Sequence, residues 1–177
     1  MYFKKLDKDD QSKLLDWWRW LDENRGDRAQ LRRAKGSDDI LLTAAFSHFL
    51  YKMPGRWSES DQISITNAAM VAAVVARIKK NNEKSSFARE LGLPKEGGSH
   101  AVMSELRFLQ LQKSRTPDEF FTRTCRAIAL LGGKASVLSV ADDILHWLDE
   151  QRFGPSSKPQ DRLAVRWASD YYAALKN

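Results

Sequence analysis

The segment Ile63 to Ala76 constrains the fold more than any other stretch, because it is nearly charge-free and wholly apolar from Ala68 onward. Ala68, Ala69, Val71, Ala72, Ala73, Val74, Val75 and Ile78 leave almost no polar face. A helix that is hydrophobic all round belongs in the middle of a protein, covered on every side. Ser64, Thr66 and Asn67 interrupt the run, which is too short to cross a bilayer, so no membrane partner is expected. The pattern predicts a buried central helix from about Ser60 to Lys80, with Lys79 and Lys80 complementing the dipole at its end.

The rest of the chain also has helical periodicity. Leu14, Leu15, Trp17, Trp18 and Leu21 recur at spacings of three and four over 11–23. Asn24 to Gly26 breaks that helix. Asp27 and Gln30 resemble a capping box that opens a short basic helix from Arg28 to Lys35. Ser37 and Asp38 are placed to cap the next helix, which runs through Leu42, Phe46 and Phe49 to Tyr51 and stops at Met53-Pro54-Gly55. One or two turns follow over Ser85 to Leu91, then a helix from His100 to Lys113. Thr116-Pro117-Asp118-Glu119 combines an N-cap, a first-turn proline and a capping acid, and Gly132-Gly133 closes the helix it opens. Two more span about 136–152 and 160–175. No stretch alternates long enough to argue a strand, and no repeat of fixed period is present. The expectation is an all-α fold of about eight helices in two small lobes. The linker-like run GLPKEGGS (92–99) places the boundary, with an N-terminal lobe over 1–96 and a C-terminal helical bundle over 97–177.

Cysteine and histidine usage narrows the chemistry. A lone Cys125 excludes an internal disulfide framework, and with three scattered histidines it excludes the common zinc arrays. The N-terminus has no apolar core like that of a signal peptide, and a reducing cytoplasm is the simplest address. With 29 Lys+Arg against 23 Asp+Glu the formal charge is +6, which makes an anionic partner plausible. The excess is local. Residues 1–23 hold five basic and six acidic groups, whereas 24–35 hold five basic groups against one acid.

Those five, Arg25, Arg28, Arg32, Arg33 and Lys35, are the sharpest candidate site. On a helix beginning near Asp27, Arg28, Arg32 and Lys35 share a face with no i,i+4 acid partner, while Leu31 and Ala34 turn inward. Guanidinium groups without interleaved acids suit a row of phosphates; a solvated face on a basic protein is the plain alternative. A second set is Arg107, Lys113, Arg115, Arg123 and Arg126, which converges if its two helices pack antiparallel. Dipole compensation at a helix end accounts equally for Lys113 and Arg115. Trp17, Trp18 and Trp20 cannot all face one core, so one is expected to be partly exposed; Trp147 and Trp167 are core or interface residues.

Catalytic readings fail on these residues. Cys125 lies on an apolar helix face as a packed small hydrophobe. His48 looks structural. His146, close after Asp142 and Asp143, forms only a chance-level metal pattern. Gly97-Gly98-Ser99 and Gly132-Gly133-Lys134 lack the spacing of a phosphate loop. Asp38-Asp39 and Asp142-Asp143 sit where helices are expected to begin and read as caps. No active site and no cofactor are expected.

The run Trp17-Trp18, Leu21, Asn24-Arg25-Gly26-Asp27-Arg28-Ala29-Gln30-Leu31-Arg32-Arg33-Ala34 resembles the start of the CasB family, the small subunit of the type I-E CRISPR surveillance complex Cascade. Ser104-Glu105-Leu106-Arg107-Phe108, Leu111 and Lys113 look like that family's second block, with Leu111-Gln112-Lys113 departing from its plainer L-L-x-A run. The resemblance implies a two-lobed helical protein without enzymatic activity. Paired as a dimer within the complex, it lies beside the crRNA-bearing backbone and the large subunit. It helps hold target and displaced DNA strands when the R-loop opens. Arg25, Arg28, Arg32 and Arg33 carry over from the first block, and Arg107 and Lys113 from the second. On the residues alone, two alternatives stay open: a helical adaptor that docks an acidic protein surface, and a helix-turn-helix regulator with Gln30 as its base reader.

Overall fold

The computed structural model describes residues 1–58 and 62–176. Its backbone is predominantly helical, as the periodicity requires. The central apolar segment forms α4 (Ile65–Val75), in which every residue from Ala68 to Val75 is buried. Ser64 caps it by accepting a hydrogen bond from the Asn67 amide at 3.2 Å. The earlier start expected at Ser60 lies outside the described residues. The helix also ends before Lys79 and Lys80, so neither complements its dipole. Lys80–Asn81 instead form β1, which pairs in parallel with β2 (Lys134–Ala135). Two residues per strand are too few to alternate, which is why no pattern announced them.

Around α4 the N-terminal helices assemble by capping and burial. Asp7 opens α1 (Lys8–Glu23) with a full capping box, exchanging hydrogen bonds with Asp10 across the first turn. Asp10 is wholly buried, yet it also accepts from Trp57 Nε1 at 2.7 Å and pairs with Arg56. Buried charge is tolerated where partners fill its lone pairs in this way. Trp17, Phe49 and Trp57 meet edge to face, with ring centroids 4.6 and 5.6 Å apart. Trp18 is also buried and donates to the Ile78 carbonyl at 2.9 Å, while Trp20 is the partly exposed member of the trio.

Two expected starts are displaced. α2 covers Arg25–Arg32, not Arg28 to Lys35, and Asp27 does not cap it. Asn24 stands at both the end of α1 and the start of α2, its side chain donating back to the Trp20 carbonyl at 2.9 Å. Likewise Ser37 and Asp38 open only a 3-10 turn (Ser37–Ile40), and Leu42 beyond it is fully exposed. α3 (Ala44–Lys52) begins afresh with Thr43 as its cap.

The second half packs back onto the first. α5 (Phe87–Gly92) lies against α9 (Leu163–Ala174), and α4 against α8 (Val137–Phe153). The stretch after α5 turns back on itself through a bridge between Pro94 and Ala101. Val102 and Met103 donate their amides to Leu93 and Leu91 at 2.9 and 3.0 Å. That pairing consumes residues expected to be helical, so α6 spans only Glu105–Gln112. α7 (Pro117–Leu130) starts as its sequence dictates, with Thr116 as cap and Pro117 in the first turn. Gly132 and Gly133 close it with positive φ.

Asp142 and Asp143 are not caps. They lie inside α8, both buried. Asp142 accepts the amides of Lys4, Lys5 and Leu6 at 3.0, 2.7 and 3.0 Å, which straps the N-terminal segment to the fold. Asp143 accepts from Trp167 Nε1 at 2.9 Å. Among the described residues no helix is long and apolar enough to cross a membrane.

Candidate nucleic-acid interface

The first basic block divides once it is folded. Leu31 and Ala34 are buried as expected, and they seat α2 on the core. Asp27 pairs with His48 Nδ1 of α3 at 2.7 Å, so His48, although exposed, ties α3 to α2. Gln30 Oε1 accepts the Ala45 amide at 3.0 Å. Arg28 does have an acid partner, although not the i,i+4 one the pattern tests for. Its guanidinium pairs with Asp22 of α1 at 3.0 Å, donates to the Trp18 carbonyl at 3.3 Å and lies over the Trp18 ring. Arg25, Arg32, Arg33 and Lys35 are exposed.

Arg77, which the sequence reading passed over, fixes the end of α2. It donates to the carbonyls of Arg32 and Ala34 at 2.9 and 2.7 Å, and to Ala73 of its own helix at 2.5 Å. Its guanidinium also sits 5.2 Å from the centre of the Phe121 ring on α7. A cation at a helix C-terminus satisfies orphan carbonyls and the dipole together. Burial lowers its pKa from the usual arginine value. The signal that could have found it is a single arginine at the end of an otherwise uncharged helix.

The second basic set is brought together. Phe108 stacks on Tyr171 at 3.9 Å, and Glu105 accepts from Tyr172 Oη at 2.6 Å, so α6 is pinned to α9. Phe120 stacks on Trp147 at 4.2 Å, which pins α7 to α8. Arg123 reaches across to the Gln110 carbonyl at 2.8 Å and Ser114 Oγ at 3.2 Å. Arg107 and Arg126 line one depression between the two helices. Matching 107 with 126 and 110 with 123 is the register of an antiparallel pair.

Three neighbouring depressions result. The first, of about 340 Å³, is lined by Arg32, Arg77 and Lys79 beside Cys125 and the Gly132-Gly133 turn. The second, of about 650 Å³, holds Arg107, Arg123 and Arg126. The third, of about 370 Å³, holds Lys113, Arg115 and Arg123. Ala129 belongs to the walls of the first two, and Gln110 and Arg123 to those of the last two. No carboxylate lines the first or second; Glu119, held by the Arg115 amide at 2.8 Å, lies in the third. Arg32 and Lys79 therefore adjoin the second basic set only where Ala129 is common to the first two depressions, whereas Arg25, Arg28, Arg33 and Lys35 line none of the three.

Other reactive groups are engaged or inert. Burial pushes the Cys125 thiol up to about 11, far from a nucleophile's range. His146 bonds Glu150 at 3.1 Å and neighbours Arg166, and burial lowers its pKa. No three metal-ligating side chains cluster among the described residues.

Fold and surface together define a helical protein built round a largely buried central helix, with a line of cation-lined depressions on its surface. Residues 27–172 match the family model of CRISPR-associated protein Cse2. The chain belongs to that family, the Cascade small subunits that its basic blocks resemble. Among solved structures it is similar to CasB from Thermus thermophilus, with a TM-score of 0.62 and 24% identity over 92% of this chain and 97% of that one. A search of curated proteins finds no match.

Proposed function

We propose that this chain acts as a non-catalytic, sequence-independent nucleic-acid-binding subunit of Cascade that contacts target and displaced DNA strands through their phosphates and stabilises the R-loop. The observation that carries the reading is the run of linked depressions from Arg32 through Lys79, Arg126, Arg107 and Arg123 to Arg115 and Lys113, with a carboxylate only at its far end. Strand exchange in an R-loop is nearly balanced, so a modest gain from backbone contacts tips it. Cations on rigid helices supply that gain without reading sequence. Arg25, Arg33 and Lys35 extend the cationic surface along α2, and Arg28 orients the helix.

Its partners on this reading are the crRNA-bearing backbone, the large subunit, crRNA, single- and double-stranded DNA, and a second copy in the assembled complex. A helix-turn-helix regulator is disfavoured because Gln30, the one base reader available, is spent on the Ala45 amide. The test is binding to random-sequence DNA across a salt series. Wild type should show a steep log–log slope, and Arg32→Glu/Arg107→Glu/Arg126→Glu a shallower one with no sequence preference in either. Unaltered binding by the triple variant contradicts the assignment and favours a protein-docking role for the basic face.

A further inference from the structure

We infer that the middle depression receives an unpaired nucleobase, so that the preferred ligand of this surface is a single strand rather than a duplex. This rests on the phosphate-binding reading above and goes beyond it. A phosphate alone does not account for the site. Its volume of about 650 Å³ is nearly twice that of either neighbour. Its floor is apolar: Met103 and Leu111 are buried at 4% and 1% exposure, with Leu130 and Ala129 beside them. Three guanidinium groups frame that floor. Arg123 is fixed by the Gln110 carbonyl, by Ser114 and by an ion pair with Glu119 at 3.6 Å, while Arg107 and Arg126 are exposed and make no ion pair or hydrogen bond among the described residues.

An apolar floor under planar cations matches the two surfaces of a base, a flat π-face and a polar edge. Charge selects the occupant. No carboxylate lines the depression, and it shares wall residues with two cation-lined neighbours that suit the flanking phosphates, Glu119 lying only in the third. A duplex keeps its bases stacked and paired and cannot lower one into a concavity without unstacking it. A single strand splays its bases at little cost.

The test uses the full chain and a mixed-sequence single strand of about 16 nucleotides, compared with an abasic strand of equal phosphate number and with the corresponding duplex. The intact strand should bind about tenfold more tightly than the abasic one, with equal salt slopes, because stacking is lost but phosphates are not. Ala129→Trp fills the depression from an exposed helical position and should erase the difference between intact and abasic strands. Arg107→Lys keeps the charge but loses the planar stack, and should lower the difference without altering the slope. Equal affinity for intact and abasic strands overturns the inference and leaves the phosphate reading standing. Failure of both strands to bind at low salt overturns the two together. A base-independent affinity coupled to failure of Ala129→Trp to join the other Cascade subunits reassigns the floor to a protein side chain, which also overturns it.

Discussion

Arg28 and Arg126 carry the same guanidinium and end in opposite circumstances. Arg28 is ion-paired with Asp22 and bonded to the Trp18 carbonyl, whereas Arg126 opens into the middle depression with no partner among the described residues. Arg126→Glu is therefore expected to weaken DNA binding about tenfold and to lower the salt slope by about one. Arg28→Ala should lower Tm and leave the salt slope as it was, which a thermal melt and the same titration distinguish. The sequence made both residues visible as basic. It did not make Asp22 visible as a partner, because that pairing spans the break between α1 and α2 and depends on where α2 begins. A second contrast lies at Asp143, whose carboxyl burial pushes up to about 7 against the opposing hydrogen bond from Trp167. A raised carboxyl pKa favours the protonated folded state. Its stabilising contribution is present in full below about pH 4 and is lost as pH rises toward 7. Asp143→Asn keeps an acceptor for Trp167, and the decline in Tm between pH 5 and 8 should be shallower than in wild type. Equal pH dependence in the two proteins contradicts the burial argument.

At the scale of elements, what the sequence announced depends on whether the signal is local. The start of α7 was legible because Thr116, Pro117 and Glu119 fall within four consecutive residues, and each acts within its own first turn or on the residue before it. Thr116→Ala should cost about 1 kcal/mol, measured by urea unfolding. The start of α3 was misplaced because Leu42 fits an apolar period yet lies fully exposed, and only Thr43 can make the cap. β1, β2 and the bridge at Pro94 and Ala101 were illegible, since pairing between distant segments fixes them rather than any pattern within them. Gly92 shows the same dependence on distant neighbours. A Cβ there would lie 2.5 Å from the Tyr171 carbonyl oxygen, where α5 crosses α9. Gly92→Ala is expected to destabilise the protein by about 1–3 kcal/mol, in contrast to Gly26→Ala, whose Cβ meets nothing within 4 Å.

For the whole molecule, the central helix was the most legible feature, and the line of depressions was only half so. An uncharged run as apolar as α4 has one stable location, and burial from Ala68 to Val75 is its consequence. The two basic blocks were each visible, but their junction at Ala129 exists only after α4, α7 and the Gly132-Gly133 turn are packed together. That junction is the basis for assigning the depressions to opened DNA. The most direct test is R-loop formation by Cascade reconstituted with wild type or with Arg32→Glu/Arg107→Glu/Arg126→Glu, with incorporation of the subunit checked by mass. The variant should assemble normally and give a lower R-loop yield, with the deficit shrinking as salt is raised and phosphate contacts are screened in both complexes. An R-loop yield equal to wild type in a fully assembled variant complex would contradict the account.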